Sequence, residues 1–107
     1  MTRKEIMALE GWPLSNAVFK HILNGECAVH PPHEDEMAAF FIVKKMREPD
    51  AAGGVRRFSM SVDDECWFSS FWYANDYVYT ATGSSAPEAI CRAALLAHFD
   101  ESKTTGV

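Results

Sequence analysis

The sequence predicts an α+β domain in which a three-stranded antiparallel β-meander carries helices packed on its faces, in the order α-α-α-β-β-β-α. Three observations predict it. Apolar residues recur at helical spacing as far as Met46, the period changes to two from Val55, and helical spacing returns after Gly83 in an alanine-rich run. A length of 107 residues supplies a single core, and 48% hydrophobic with 23% charged residues is ordinary globular composition. One domain over residues 1–101 is therefore expected, with residues 102–107 as a polar, flexible tail.

Thr2 is placed to cap a first helix through Leu9, with Glu5 at the reciprocal position and Gly11 as its stop. A second helix, from about Leu14, sets Leu14, Val18 and Ile22 four residues apart and ends at Gly25. Residues 26–32 form a connector because paired prolines forbid helix there. Glu34, Asp35 and Glu36 then sit at the positive end of a third helix and Lys44, Lys45 and Arg47 at its negative end. Ala38, Ala39, Ile42, Val43 and Met46 are its expected buried stripe, yet Met37, Phe40 and Phe41 leave the other side apolar as well. Residues 49–54 are a loop.

In the first strand Phe58, Met60 and Val62 face one way and Arg57, Ser59 and Ser61 the other. Asp63-Asp64-Glu65 turns the chain into a second strand, residues 66–73, with Cys66, Phe68 and Trp72 on one face and Trp67, Phe71 and Tyr73 on the other. A tight turn at residues 74–76 leads to the third strand at 77–81. Large apolar residues on both faces of the second strand require cover on both, or one face given to a partner, and the helices are numerous enough for the first.

The last helix opens on Ser85-Ala86-Pro87-Glu88, a reciprocal capping pattern in which Pro87 lacks only an amide that the first turn leaves unpaired. Ala86, Ala89, Ile90, Ala93, Ala94 and Ala97 make a stripe of mostly small residues suited to close approach to a sheet. Glu88 and Arg92 have the spacing of a surface ion pair, and Leu95 and Phe99 on the far side need cover of their own.

Three cysteines without C-x-x-C spacing point to a reducing compartment, and Cys27, Cys66 and Cys91 are all read as buried thiols. No stretch is long and apolar enough for a signal peptide or a membrane span, so a soluble cytoplasmic protein is expected. The net charge of −5 argues against direct nucleic-acid binding, which needs a cationic face.

The run Ala81-Thr82-Gly83, followed by Ala86-Pro87-Glu88-Ala89-Ile90-Cys91-Arg92 and its alanine-leucine continuation, resembles the C-terminal signature of the phage ABA-sandwich domain family. The opening nine residues resemble that family's start, and Pro32 with the helix at 35–46 its middle. The resemblance implies a small phage- or prophage-encoded accessory protein with helices flanking an antiparallel sheet, and brings no assigned activity or functional residues. The chain departs from the family at His33-Glu34 and in its aromatic excess between Trp67 and Tyr79. The order helix, three-strand meander, helix also resembles the double-stranded-RNA-binding domain. That domain grips phosphates with lysines where this chain has Ala86-Pro87-Glu88, so RNA binding does not follow.

Candidate chemistry is sparse. Cys27, His30 and His33 have C-x2-H-x2-H spacing, a weak candidate zinc set, and a metal-dependent enzyme resting on it is the third reading of function. Cys91 and His98 lie seven residues apart on one helix, about 10 Å and beyond hydrogen-bond reach, so no nucleophile is expected there. No cofactor motif occurs, and the expectation is a protein that is not an enzyme.

Seven of the thirteen aromatic residues lie between positions 67 and 79, and they read either as core or as a recognition surface. The leading function is non-catalytic binding to a host or phage protein, such as inhibition of a host defence system of the CRISPR type, through Asp63, Asp64, Glu65, Trp67, Trp72 and Tyr77. The alternative is sequestration of a phosphate-bearing small molecule or nucleotide, with Arg56 and Arg57 on the phosphates. A homo-oligomer is compatible with both.

Overall fold

The computed structural model describes residues 1–24, 31–47, 55–73 and 78–99, with only the backbone of Arg56, and has seven elements in the predicted order. The expected connector at 26–30, loop at 49–54, turn at 74–76 and tail at 102–107 lie outside the described residues. So do Cys27, His30 and Tyr77.

Helix α1 (Arg3–Ala8) has the predicted capping box: Thr2 Oγ1 accepts from the Glu5 amide and the Glu5 carboxylate accepts from the Thr2 amide. Both bonds favour the ionised carboxylate and hold the Glu5 pKa below its ordinary value. Helix α2 (Gly11–His21) begins three residues earlier than expected. Pro13 is its third residue, where an absent N–H forfeits no helical bond. Gly11, with φ of +59°, starts α2 where the sequence suggested a stop for α1, and near α2's end Asn24 takes the left-handed conformation.

Helix α3 (Glu36–Met46) is capped by Asp35, whose carboxylate accepts from the Ala38 amide at 2.8 Å. Its buried residues are the five predicted from periodicity. Strands β1 (Val55–Val62), β2 (Trp67–Tyr73) and β3 (Val78–Gly83) form the antiparallel meander β1-β2-β3, irregular between Val55 and Arg57.

Helix α4 (Ala86–Phe99) is the structural centre. It lies against β2 and β3 and also touches α1, α2 and α3, so every residue from Ala89 to Ala97 is buried. Small side chains make this double contact practicable, because a helix enclosed by neighbours on most sides has little room for bulk. The closest approach is at Gly83, where an added Cβ would lie 2.7 Å from the Ala89 amide nitrogen and 3.0 Å from Glu88 Cβ.

Two local expectations at α4 are corrected. The Glu88 amide donates to Ser85 Oγ at 3.4 Å as predicted, but the Glu88 carboxylate accepts from the amide of Ser84, not that of Ser85. The expected surface ion pair of Glu88 and Arg92 is buried. Arg92 is 7% exposed, lies 2.9 Å from Glu88, and donates to the carbonyls of Leu9 and Thr82, tying the end of α1 to the end of β3. Leu95 is fully buried, and Phe99 is packed edge-on against His21 of α2.

The sheet has an α+β layering, but its two faces differ. Phe71, Tyr73, Tyr79 and Ala81 point to the helices and join one core with Ile6, Leu14, Val18, Ile42 and Ile90. The opposite face carries Arg57, Ser59, Ser61, Phe68, Trp72 and Val78, all exposed or half-exposed. Helical cover on both faces is thus corrected: among the described residues α4 takes one face and α1 and α2 stack behind it. Among these residues no helix is long and apolar enough to cross a membrane.

Candidate partner-binding surface

Helix α3 presents Met37, Phe40 and Phe41 to solvent at 80%, 47% and 43% exposure. Their spacing of three and four residues places them on one helix face, away from the stripe that enters the core. Beside them, Phe40 and Glu36 meet Met60, Trp67, Pro87 and Ile90 around a recess of about 90 Å³. Trp67 is half-exposed, and Val62, its partner across the β1-β2 ladder, is 56% exposed.

The anionic turn Asp63-Asp64-Glu65 follows Val62 directly and is exposed. It is also ordered. Asp63 Oδ1 accepts from the amides of Glu65 and Cys66, both at 2.9 Å, and the Asp63 amide donates to the Cys66 carbonyl at 3.0 Å. Those bonds favour the ionised carboxylate and hold the Asp63 pKa below its ordinary value. The aromatic recess therefore has acid in its lining from Glu36 on α3, and the anionic turn ends two residues before its Trp67.

The structure brings Asp63, Asp64, Glu65 and Trp67 of the sequence-predicted set together and separates Trp72 from them. Trp72 lies on the open sheet face, its indole N–H donating to Ser59 Oγ at 3.2 Å and its ring 4.5 Å beneath the Arg57 guanidinium. Arg57 is thus stacked on an exposed, flat strand face. The α3 residues Met37, Phe40 and Phe41 were absent from the predicted set, though the signal existed in apolar residues lying off the buried stripe.

Of the weak metal set only His33 is described, and it serves the fold. Its Nδ1 lies 2.7 Å from Ser15 Oγ, which also accepts from the His33 amide, and its ring packs edge-on against Trp12. No group of three metal-ligating side chains converges among the described residues.

Cys91 is buried as expected, its thiol donating to the Pro32 carbonyl, and burial raises its pKa far above that of a free thiol. Cys66 is half-exposed, not buried. Desolvation first, then the charges of Asp63 and Glu65, push its thiol up too. A larger cleft of about 440 Å³ between α1, β3 and the end of α4 is lined by Met1, Thr2, Arg3, Tyr79, Leu96 and Phe99, with Ile6 at its floor. No cysteine, histidine or carboxylate is among these residues. Burial pushes the neighbouring core phenol of Tyr73 up to about 12.

Fold and surface together define a small α+β domain whose accessible features are an apolar patch and an acidic turn. The family model described as "Phage ABA sandwich domain" matches residues 4–95, and the chain belongs to that family, which places it among small phage proteins. No curated protein and no solved structure matches the chain.

Proposed function

We propose that the protein acts by non-catalytic binding to a host or phage protein, with the α3 patch and the β1-β2 turn as its contact surface. The observation that carries this reading is the exposure of Met37, Phe40 and Phe41 beside a recess lined by Glu36 and Trp67, with the acidic turn Asp63-Asp64-Glu65 just before Trp67 in the chain. Aromatic residues and methionine at the centre of a patch with charge at its rim are the composition of binding interfaces. The sign of the rim points to a basic partner surface, as on proteins that hold nucleic acid, and inhibition of a host defence nuclease is the role that fits such a partner. The raised thiol pKa values of Cys66 and Cys91 support a role without nucleophilic chemistry.

Capture from host lysate tests this reading. The wild-type protein should retain a specific protein, and Phe40→Glu or the pair Asp64→Lys with Glu65→Lys should weaken retention on the order of tenfold or more without changing the fold. Recovery of the same proteins by wild type and both variants would sink it. The nucleotide alternative has less support, since Arg57 is stacked on Trp72 on a flat face. A melting screen against nucleotides separates the two readings.

A further inference from the structure

The sheet has two edges, β1 and β3, and the chain treats them differently. On β3 the carbonyls of Thr80 and Thr82 accept from Arg3 at 3.3 Å and Arg92 at 2.9 Å. Side chains thus occupy alternate carbonyls of that edge. Among the described residues no strand pairs with the outer side of β1, and its ladder with β2 is regular from Arg57 to Val62. An eight-residue edge strand with no proline is a template for another strand.

The sequence there is its own complement. Residues 56–64 read RRFSMSVDD, in which two cations, an apolar residue and a serine precede Met60, and a serine, an apolar residue and two anions follow it. We propose that β1 pairs antiparallel with β1 of a second copy about a two-fold axis at Met60, joining two three-stranded sheets into one of six strands. In that register Arg57 lies opposite Asp63 of the second copy, Phe58 opposite Val62, Ser59 opposite Ser61, and Met60 opposite itself.

Each pairing is favourable, and each occurs twice except the Met60 pair on the axis, as an isologous contact requires. The faces also agree. A two-fold axis normal to the sheet keeps Phe58, Met60 and Val62 on the helix-bearing side in both copies and Arg57, Ser59 and Ser61 on the other. The 56% exposure of Val62 is then the exposure of one half of a cross-strand pair. Slipping the register by one residue would set Arg57 opposite Val62 or Asp64 and, because directly opposite residues share a face, would turn the second copy's helices to the other side of the sheet, so the register is specific.

This inference does not rest on the proposed partner-binding role: Asp63 of the turn belongs to both surfaces, but Phe40 and Trp67 take no part in the pairing and the test uses the purified protein alone. Light scattering should give twice the 12.0 kDa chain mass, with a dissociation constant that rises with salt. Arg57→Asp alone places like charges opposite one another at both ends and should weaken the dimer on the order of tenfold or more, while Arg57→Asp with Asp63→Arg should restore it. Asp63 also holds the turn, so a register-specific readout accompanies the swap. Under mild oxidation, Ser59→Cys mixed with Ser61→Cys should yield a 59–61 cross-linked peptide, and each variant alone should yield far less. A monomer up to about millimolar concentration, or cross-linking that does not favour the mixed pair, overturns the proposal.

Discussion

Replacing Arg92 by methionine tests the account of how the helices are joined to the sheet. The guanidinium makes a 2.9 Å ion pair with Glu88, two bonds to the Leu9 carbonyl and one to the Thr82 carbonyl, at 7% exposure. Removing one member of a buried pair costs about 3–5 kcal/mol, because the other charge is left without its counterion. Here the Glu88 side chain keeps 17% exposure and a bond from the Ser84 amide, which favours the lower end, about 3 kcal/mol. The carbonyls of Leu9 and Thr82 then lose their arginine donors, adding roughly 1 kcal/mol between them after partial rehydration. A loss of about 4 kcal/mol follows, a large fraction of the roughly 5–15 kcal/mol that stabilises a domain this size.

In urea, with a slope of about 1.5 kcal/mol per molar, the midpoint should fall by about 2–3 M at unchanged slope. The double variant with Glu88→Gln should be no less stable than Arg92→Met alone, since it removes the stranded charge. A midpoint within about 0.5 M of wild type would refute the reasoning and mean that the carbonyls and the carboxylate are adequately solvated without the arginine.

Two further outcomes follow from the same structure. Gly83→Ala should destabilise by about 1–3 kcal/mol in the same assay, because the added Cβ meets backbone of α4 that cannot turn aside; wild-type stability would show that α4 moves freely off β3. In alkylation mapped by mass spectrometry at pH 8, Cys66 should react more slowly than a free cysteine and gain rate as pH rises past the ordinary thiol value, while Cys91 should react only once denaturant is added. Fast labelling of Cys91 in the native protein would contradict its burial beneath Pro32.

Local signals in the sequence were read well and convergent ones were not. The α3 stripe was legible because acid at one end, base at the other and a 3.6-residue period all describe one helix without reference to its neighbours. The alternation of β1 and β2 was legible for the same reason. Arg92 was misjudged because four-residue spacing to Glu88 looks the same on a surface and in an interior; what buries it is the arrival of Leu9 and Thr82, from positions 83 and 10 residues away. The open sheet face was misjudged because the number of helices does not say that one of them will be enclosed by the others. At the candidate surface the acidic turn and Trp67 were found, but their company with Phe40 depends on where α3 crosses the hairpin.

The central place of α4 bears on how the chain emerges from the ribosome. The apolar stripes of α1, α2 and α3 acquire most of their cover from α4, which is made after all of them, so the domain cannot assemble until α4 has emerged. At roughly 5–20 residues per second, the earlier helices spend seconds with their future interior facing water and nascent-chain chaperones. Vectorial synthesis therefore leaves this small domain no folded halfway stage: synthesis halted before Ala86 would yield three greasy helices and a meander with nothing to unite them.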